Sequence, residues 1–144
     1  MPRTRLFLIA LPLTLALVAG GWWVASRLQA QVRIGEGRVL YAETCAACHG
    51  AQLQGQPDWQ RPGPDGRLPA PPHDASGHTW HHDDALLFRI TREGSAAVIG
   101  NGYESNMPGF AGVLTDDQIR AVLAYIRSTW PAQERAYQRA LNTQ

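Results

Sequence analysis

Apolar positions recur with a helical period over much of the chain. Ile34, Gly37, Tyr41, Cys45 and Cys48 fall at i, i+3, i+7, i+11 and i+14, one face of an α-helix. Such a helix presents its apolar stripe and both thiols to one interior, and Gly37 on that stripe admits another helix at close range. A second stripe runs through Ile119, Val122, Leu123, Ile126 and Trp130. Ahead of it, Thr115 and Gln118 make a capping-box pattern, Asp116 and Asp117 suit the first turn, and Pro131 ends or kinks the helix. A middle helix is expected from Asp83 to Glu93, with Asp83 as its cap, Leu86, Leu87 and Ile90 facing inward, and Gly94 stopping it. Between residues 54 and 78 Gly and Pro break every period. A flexible linker is Gly/Ser-rich and sits at a boundary, so this stretch reads as an ordered loop. Residues 132–141 read as a weakly amphipathic, polar helical tail. No internal repeat or low-complexity run is present.

The front of the chain follows another rule. Leu6 to Ser26 holds 21 residues without a charge. A helix of that length spans about 30 Å, the thickness of a bilayer's hydrocarbon core. Arg3 and Arg5 precede it, Arg27 and Arg33 follow, and Trp22 and Trp23 sit near its end, where interfacial aromatics collect. Pro12 is compatible with a membrane helix. The competing reading is a cleaved signal peptide, but signal cores run to about 7–15 residues, and Val24-Ala25-Ser26 and Val18-Ala19-Gly20 are poor cleavage sites. An uncleaved anchor is the expectation. The expected organisation is therefore an anchor or signal segment at 1–30, a domain at 31–131 and the polar tail at 132–144. Flanking charges nearly tie and do not set the orientation.

The chain has 144 residues, 44% of them apolar, which fits one small domain with an attached segment. A net charge of +1 gives no reason to expect a nucleic-acid partner. All 13 basic residues are Arg. Past residue 30 there are 10 Arg against 12 Asp and Glu, a net of −2, so the domain lacks a basic field that steers toward an acidic partner. A domain of this size buries a modest core and often leans on a cofactor or crosslinks.

The two cysteines lie too close together to staple long loops, which points to chemistry. Residues 45–49 read Cys-Ala-Ala-Cys-His, the attachment signature of c-type haem. Two thiols two residues apart on a helical turn can meet two vinyl groups on one macrocycle edge, and the next residue, His49, then reaches the iron as proximal ligand. Three other readings exist. A redox Cys pair opens a helix after a strand, and no such strand precedes it. A zinc site wants a second pair of ligands at fixed spacing, which adjacent His81 and His82 do not form. The third is a plain disulfide or chance.

The surroundings resemble the class I cytochrome c family over residues 34 to 130. Gly37 through Tyr41 and Cys45 to Gly50 is similar to that family's first helix and haem site. Asn106-Met107-Pro108-Gly109-Phe110 is similar to its methionine loop, and Leu114 through Ile126 to its last helix. The resemblance implies an all-α domain of three to four helices around a covalent haem, here preceded by one transmembrane helix. It implies that Gly37 and Tyr41 cross Val122 and Tyr125 at near right angles, and that the 54–78 loop wraps the haem edge.

Met107 is the one methionine besides Met1, hence the one thioether available as distal ligand, and Pro108 fixes the backbone after it. The alternative role for Met107 is a buried gap-filler. His73, His78, His81 and His82 lie within ten residues. They read first as loop residues that hydrogen-bond haem propionates or solvent. The alternatives are an iron ligand replacing Met107, or a second metal such as copper. Trp80 can offer its indole N–H to a propionate. A ligating imidazole needs its other nitrogen held. The family uses a proline carbonyl, for which Pro71 or Pro72 is the candidate.

The expected function is a one-electron carrier with His49/Met107 ligation and no catalytic residue of its own. No triad, phosphate loop or acidic dyad stands out. The alternatives are a haem enzyme or gas-binding protein with an open distal site, and a copper-handling redox protein using His73 to His82. The resemblance implies redox partners: a dehydrogenase or quinol-oxidising complex as donor, an oxidase or reductase as acceptor. It also implies a bacterial inner-membrane location with the domain in the periplasm, the side on which the family's thioethers form.

Overall fold

The computed structural model describes residues 3–143, with side chains described at Leu15 and from Leu17 onward. Six α-helices and one 3-10 turn form, with no strand among the described residues. In order these are α1 (Arg3–Thr44), α2 (Ala46–His49), the 3-10 turn Thr79–His81, α3 (Asp84–Glu93), α4 (Ser95–Ile99), α5 (Asp116–Thr129) and α6 (Ala132–Leu141). The all-α expectation agrees with this. The count exceeds three to four through the short α2 and α4 and through α6.

Contacts divide the chain into two units, one ending at Val32 and one beginning at Arg33. In the first, the described apolar side chains of α1 face outward: Leu17 and Val18 are 70% exposed and Trp22 75%. Among the described residues no helix is long and apolar enough to cross a membrane. Of the expected span Leu6–Ser26, the side chains at 6–14 and 16 lie outside the described residues.

The second unit is built on contact between the end of α1 and α5. Gly37 makes the approach possible: a Cβ there would stand 1.9 Å from the Ala121 carbonyl oxygen. One turn on, Tyr41 meets Tyr125 with ring centroids 5.5 Å apart. One apolar cluster gathers Tyr41, Cys45, Leu53, Val122, Ile126 and Trp130; a second gathers Leu87, Leu114, Ile119 and Leu123, and Leu40 packs against both. Each large side chain so buried contributes about 1.5–3 kcal/mol of transfer free energy.

Helix ends follow local chemistry. The Thr115 hydroxyl accepts from the Gln118 N–H at 3.2 Å and the Gln118 side chain accepts from the Thr115 N–H at 2.9 Å, a complete capping box. Asp83 caps α3 by accepting from the Leu86 N–H at 2.7 Å, and Gly94 ends it with φ 91°. Of the three residues expected to face inward on α3, Leu87 is buried, while Leu86 and Ile90 are half-buried.

The polar tail has a structural use. Asp84 at the start of α3 pairs with Arg127 of α5 and accepts from Gln138 Nε2 of α6 at 2.7 Å. Its own N–H donates to Asn142 at 2.8 Å, and Gln138 is fully buried. Tyr137 packs on Trp80 and His81 of the 3-10 turn at 5.4 Å each.

Candidate functional site

The periodicity put Cys48 on the same inward stripe as Cys45, and the structure corrects this. The helix breaks at Cys45, which takes φ −115° between α1 and α2. Cys45 is buried and Cys48 exposed, and both are free thiols. Burial pushes the Cys45 thiol above its ordinary pKa, and its sulfur lies 3.3 Å from the Thr44 hydroxyl. That hydroxyl donates to Leu40 O at 2.7 Å, which leaves it an acceptor toward the thiol.

His49 closes α2 and is 5% exposed. Its Nδ1 lies 2.8 Å from the Pro71 carbonyl oxygen. A carbonyl only accepts, so Nδ1 carries the proton and Nε2 keeps its lone pair. No described residue hydrogen-bonds Nε2, and it is not among the enclosed polar atoms without a partner. Burial lowers the His49 pKa, with the Pro71 carbonyl working the other way, and this favours the neutral ring that a metal ligand requires.

The chain after His49 turns back sharply. Gly50 has φ 81°, and its carbonyl accepts from the Tyr41 hydroxyl at 3.0 Å. Gly55 donates to His49 O at 2.8 Å. The Gly/Pro stretch is ordered: the Gln56 N–H meets Ala70 O at 2.9 Å, the Gln56 side chain accepts from the Ala70 N–H at 2.8 Å, and the His73 N–H meets Leu53 O at 2.7 Å.

Met107 is half-buried in the loop between α4 and α5, and its N–H donates to Ser105 Oγ at 3.1 Å. Glycine contacts hold that loop on the end of α3. A Cβ on Gly109 would sit 2.6 Å from the Glu93 carbonyl carbon, and one on Gly94 2.9 Å from the Gly109 nitrogen. Phe110 and Ala111 donate to Thr91 O and Arg92 O, both at 3.0 Å. From the Gly/Pro loop, Arg67 reaches Glu104 at 3.1 Å and Asn106 at 2.8 Å, just ahead of Met107.

The histidine cluster does not converge. His73 stacks on His49 at 4.0 Å and its Nδ1 meets Thr79 Oγ1 at 2.8 Å. His78 stacks on Trp59 at 5.3 Å, and His81 lies against Trp80 at 3.7 Å. Burial lowers the pKa of His78 and of His82, and neighbouring imidazoles add to it. Among the described residues no group of three His, Cys, Asp or Glu is arranged to hold a metal ion, so the copper-handling reading has no constellation to rest on. The Trp80 indole N–H donates to Ala75 O at 3.3 Å. Of the two proline carbonyls expected near His49, Pro71 is the one that meets it. No local pattern in the sequence marks the His73–Thr79 contact.

The donor set fits a covalently held haem. Two free thiols flank a turn of helix, the next residue is a neutral imidazole with Nδ1 fixed, and its Nε2 is unengaged. Comparison with known proteins agrees. The cytochrome c family model matches residues 34–130. The cbb3-type cytochrome c oxidase subunit CcoP of Azospirillum sp. (strain B510) is 30% identical over 96 residues. That match covers 67% of this chain and 28% of the relative, so the chain spans under a third of that protein's length. No solved structure matches. With the family model covering nearly the whole second unit and the attachment motif within it, the chain belongs to the cytochrome c family, and its cofactor is covalent haem c.

Proposed function

We propose that this protein is a one-electron carrier in which Cys45 and Cys48 hold haem c as thioethers, His49 is the proximal iron ligand and Met107 the distal one. The observation that carries the reading is the His49 ring, buried and pinned through Nδ1 to Pro71 with Nε2 left over, directly after two free thiols. Bound there, haem c supplies a one-electron ferric/ferrous couple. The residues of the chain do the rest. Pro71 fixes the tautomer and raises the basicity of His49. The Gly94–Gly109 contact and the Arg67 bridge hold the Met107 loop in one place. A thioether paired with imidazole would favour the reduced form, and with both His49 and Met107 bound to the iron no position would be left for substrate. That is the ground for reading a carrier and not an enzyme.

Optical spectra of the purified protein test the ligand pair. The reduced form should give sharp low-spin bands and the oxidised form the weak far-red band of methionine–iron bonding. Met107→Ala should lose that band and acquire carbon monoxide sensitivity. A wild-type spectrum that is high-spin, or that shifts under carbon monoxide, would overturn the pair and put the gas-binding or enzyme reading first.

The same proposal places the carrier at a bacterial inner membrane, haem domain in the periplasm, held by residues 6–26. The exposed apolar side chains of α1 support it: Leu15, Leu17, Val18, Trp22 and Trp23 are 57–75% exposed, a patch that water does not favour. The relative is a subunit of an oxidase by name, which supports partners in a membrane electron-transfer chain: a dehydrogenase or quinol-oxidising complex as donor, an oxidase or reductase as acceptor. The full chain should stay with membranes through an alkaline wash, while a version with residues 1–26 replaced by a cleavable signal peptide should be soluble. Protease added to spheroplasts should digest the haem domain. Release of the full chain by the wash, or protection while a periplasmic marker is digested, would sink the placement.

A further inference from the structure

The segment Pro71-Pro72-His73 supplies the carbonyl that holds His49, and it is gripped on every side. Gly77 presses so close that a Cβ on it would stand 2.0 Å from the Pro72 carbonyl oxygen. Gly55, at φ 68°, comes within 2.5 Å of the Pro72 nitrogen on the same measure. The Leu53 carbonyl accepts from the His73 N–H at 2.7 Å, and the His73 carbonyl accepts from the buried Trp130 indole at 2.7 Å. Thr79, 5% exposed, closes the set: its hydroxyl donates to Pro72 O at 3.4 Å and meets His73 Nδ1 at 2.8 Å. The 2.8 Å contact to the His73 ring is the shorter of the two. The His73 ring lies over the His49 ring at 4.0 Å with 24° between planes, and Tyr41 meets the edge of His73 at 6.3 Å and 72°.

We infer that His73 and Thr79 form a positioning unit for the proximal ligand, one that fixes the plane of the His49 imidazole by stacking and the place of the Pro71 carbonyl through Pro72. The inference rests on His49 being the iron ligand. A ligating imidazole whose N–H is held firmly by an acceptor is the more basic ligand and favours the oxidised metal. Loosening the Pro71 carbonyl weakens that bond and raises the reduction potential. The unit is thus a control on potential exerted through His49 and the Pro71 carbonyl.

The test uses the haem-loaded full chain. Thr79→Val keeps the shape and removes the hydroxyl; Thr79→Ser keeps the hydroxyl. His73→Phe keeps a ring to stack and removes the nitrogen. Thr79→Val and His73→Phe should each shift the equilibrium toward the reduced form about threefold, roughly 28 mV at 59 mV per decade for one electron. The double variant should shift it no further than Thr79→Val alone, because that variant already loses both contacts of the hydroxyl, including the one it shares with His73. Thr79→Ser should restore the wild-type potential. In the wild type, needing no variant, the His49 Nδ1 proton should exchange with solvent at least tenfold more slowly than that of an exposed imidazole. Variants that melt earlier but keep the wild-type potential and ferric magnetic signature would overturn the inference, as would fast exchange in the wild type. Failure of the ligand assignment itself looks different: His49→Ala would then retain the wild-type axial signature.

Discussion

Replacing both Cys45 and Cys48 by serine is expected to abolish covalently retained haem, read as loss of haem staining after denaturing electrophoresis. The two thiols are the only cysteines, both are free, and a hydroxyl forms no thioether under the same conditions. The single variants separate chemistry from packing. Cys48 is exposed, so Cys48→Ser removes one crosslink with little direct effect on the core. Cys45 belongs to the cluster of Tyr41, Leu53, Val122, Ile126 and Trp130, so Cys45→Ser also sets a hydroxyl among apolar groups. That adds about 1–3 kcal/mol wherever no partner is met, though Thr44 Oγ1 offers one. Cys45→Ser should therefore lose more haem and more helix than Cys48→Ser. Domains of this size often lean on a cofactor for part of their cohesion, so the double variant should also lose far-UV helical signal. Haem still covalently attached to the double variant would sink the assignment of the site.

What the sequence disclosed and what it withheld divide by the range of the interaction. The Thr115/Gln118 box and the Asp83 cap are contacts across three residues, so their identity and spacing suffice. The attachment motif is equally local. Gly37 was readable as a point of close approach because its stripe was apolar and only glycine broke it. Cys48 was misplaced because a strict 3.6 period assumes an unbroken helix, and the backbone departs from it at Cys45. The five-residue α4 is too short to carry a period. Gln138 reads as a surface residue in a polar tail, yet it is fully buried because Asp84 and the His82 carbonyl accept from its amide. The His73–Thr79 contact depends on how a Gly/Pro loop folds back, which no local rule supplies.

Two glycines two residues apart in α1 should respond with opposite signs, which isolates the helix crossing beneath the haem site. Alanine is favoured over glycine in a helix by about 1 kcal/mol. At Gly35 nothing lies within 4 Å of an added Cβ, so Gly35→Ala should raise the melting temperature by roughly 5 °C. At Gly37 the same atom meets Ala121 O at 1.9 Å, Ala121 C at 2.4 Å and Val122 N at 3.0 Å. All three are backbone, so no side chain can swing aside; α1 and α5 must part. Overpacking costs about 1–3 kcal/mol or more, and separating the helices also loosens Tyr41 against Tyr125. The steric term therefore outweighs the propensity gain, and Gly37→Ala should lower the melting temperature by roughly 10 °C. The displacement reaches the site, because α1 carries Tyr41, whose hydroxyl holds Gly50 O at 3.0 Å behind His49, and leads directly into Cys45. Haem incorporation should fall with Gly37→Ala and stay level with Gly35→Ala. If both variants melt above the wild type, α1 and α5 do not meet at Gly37, and the packing that sets Cys45 and His49 in place must lie elsewhere.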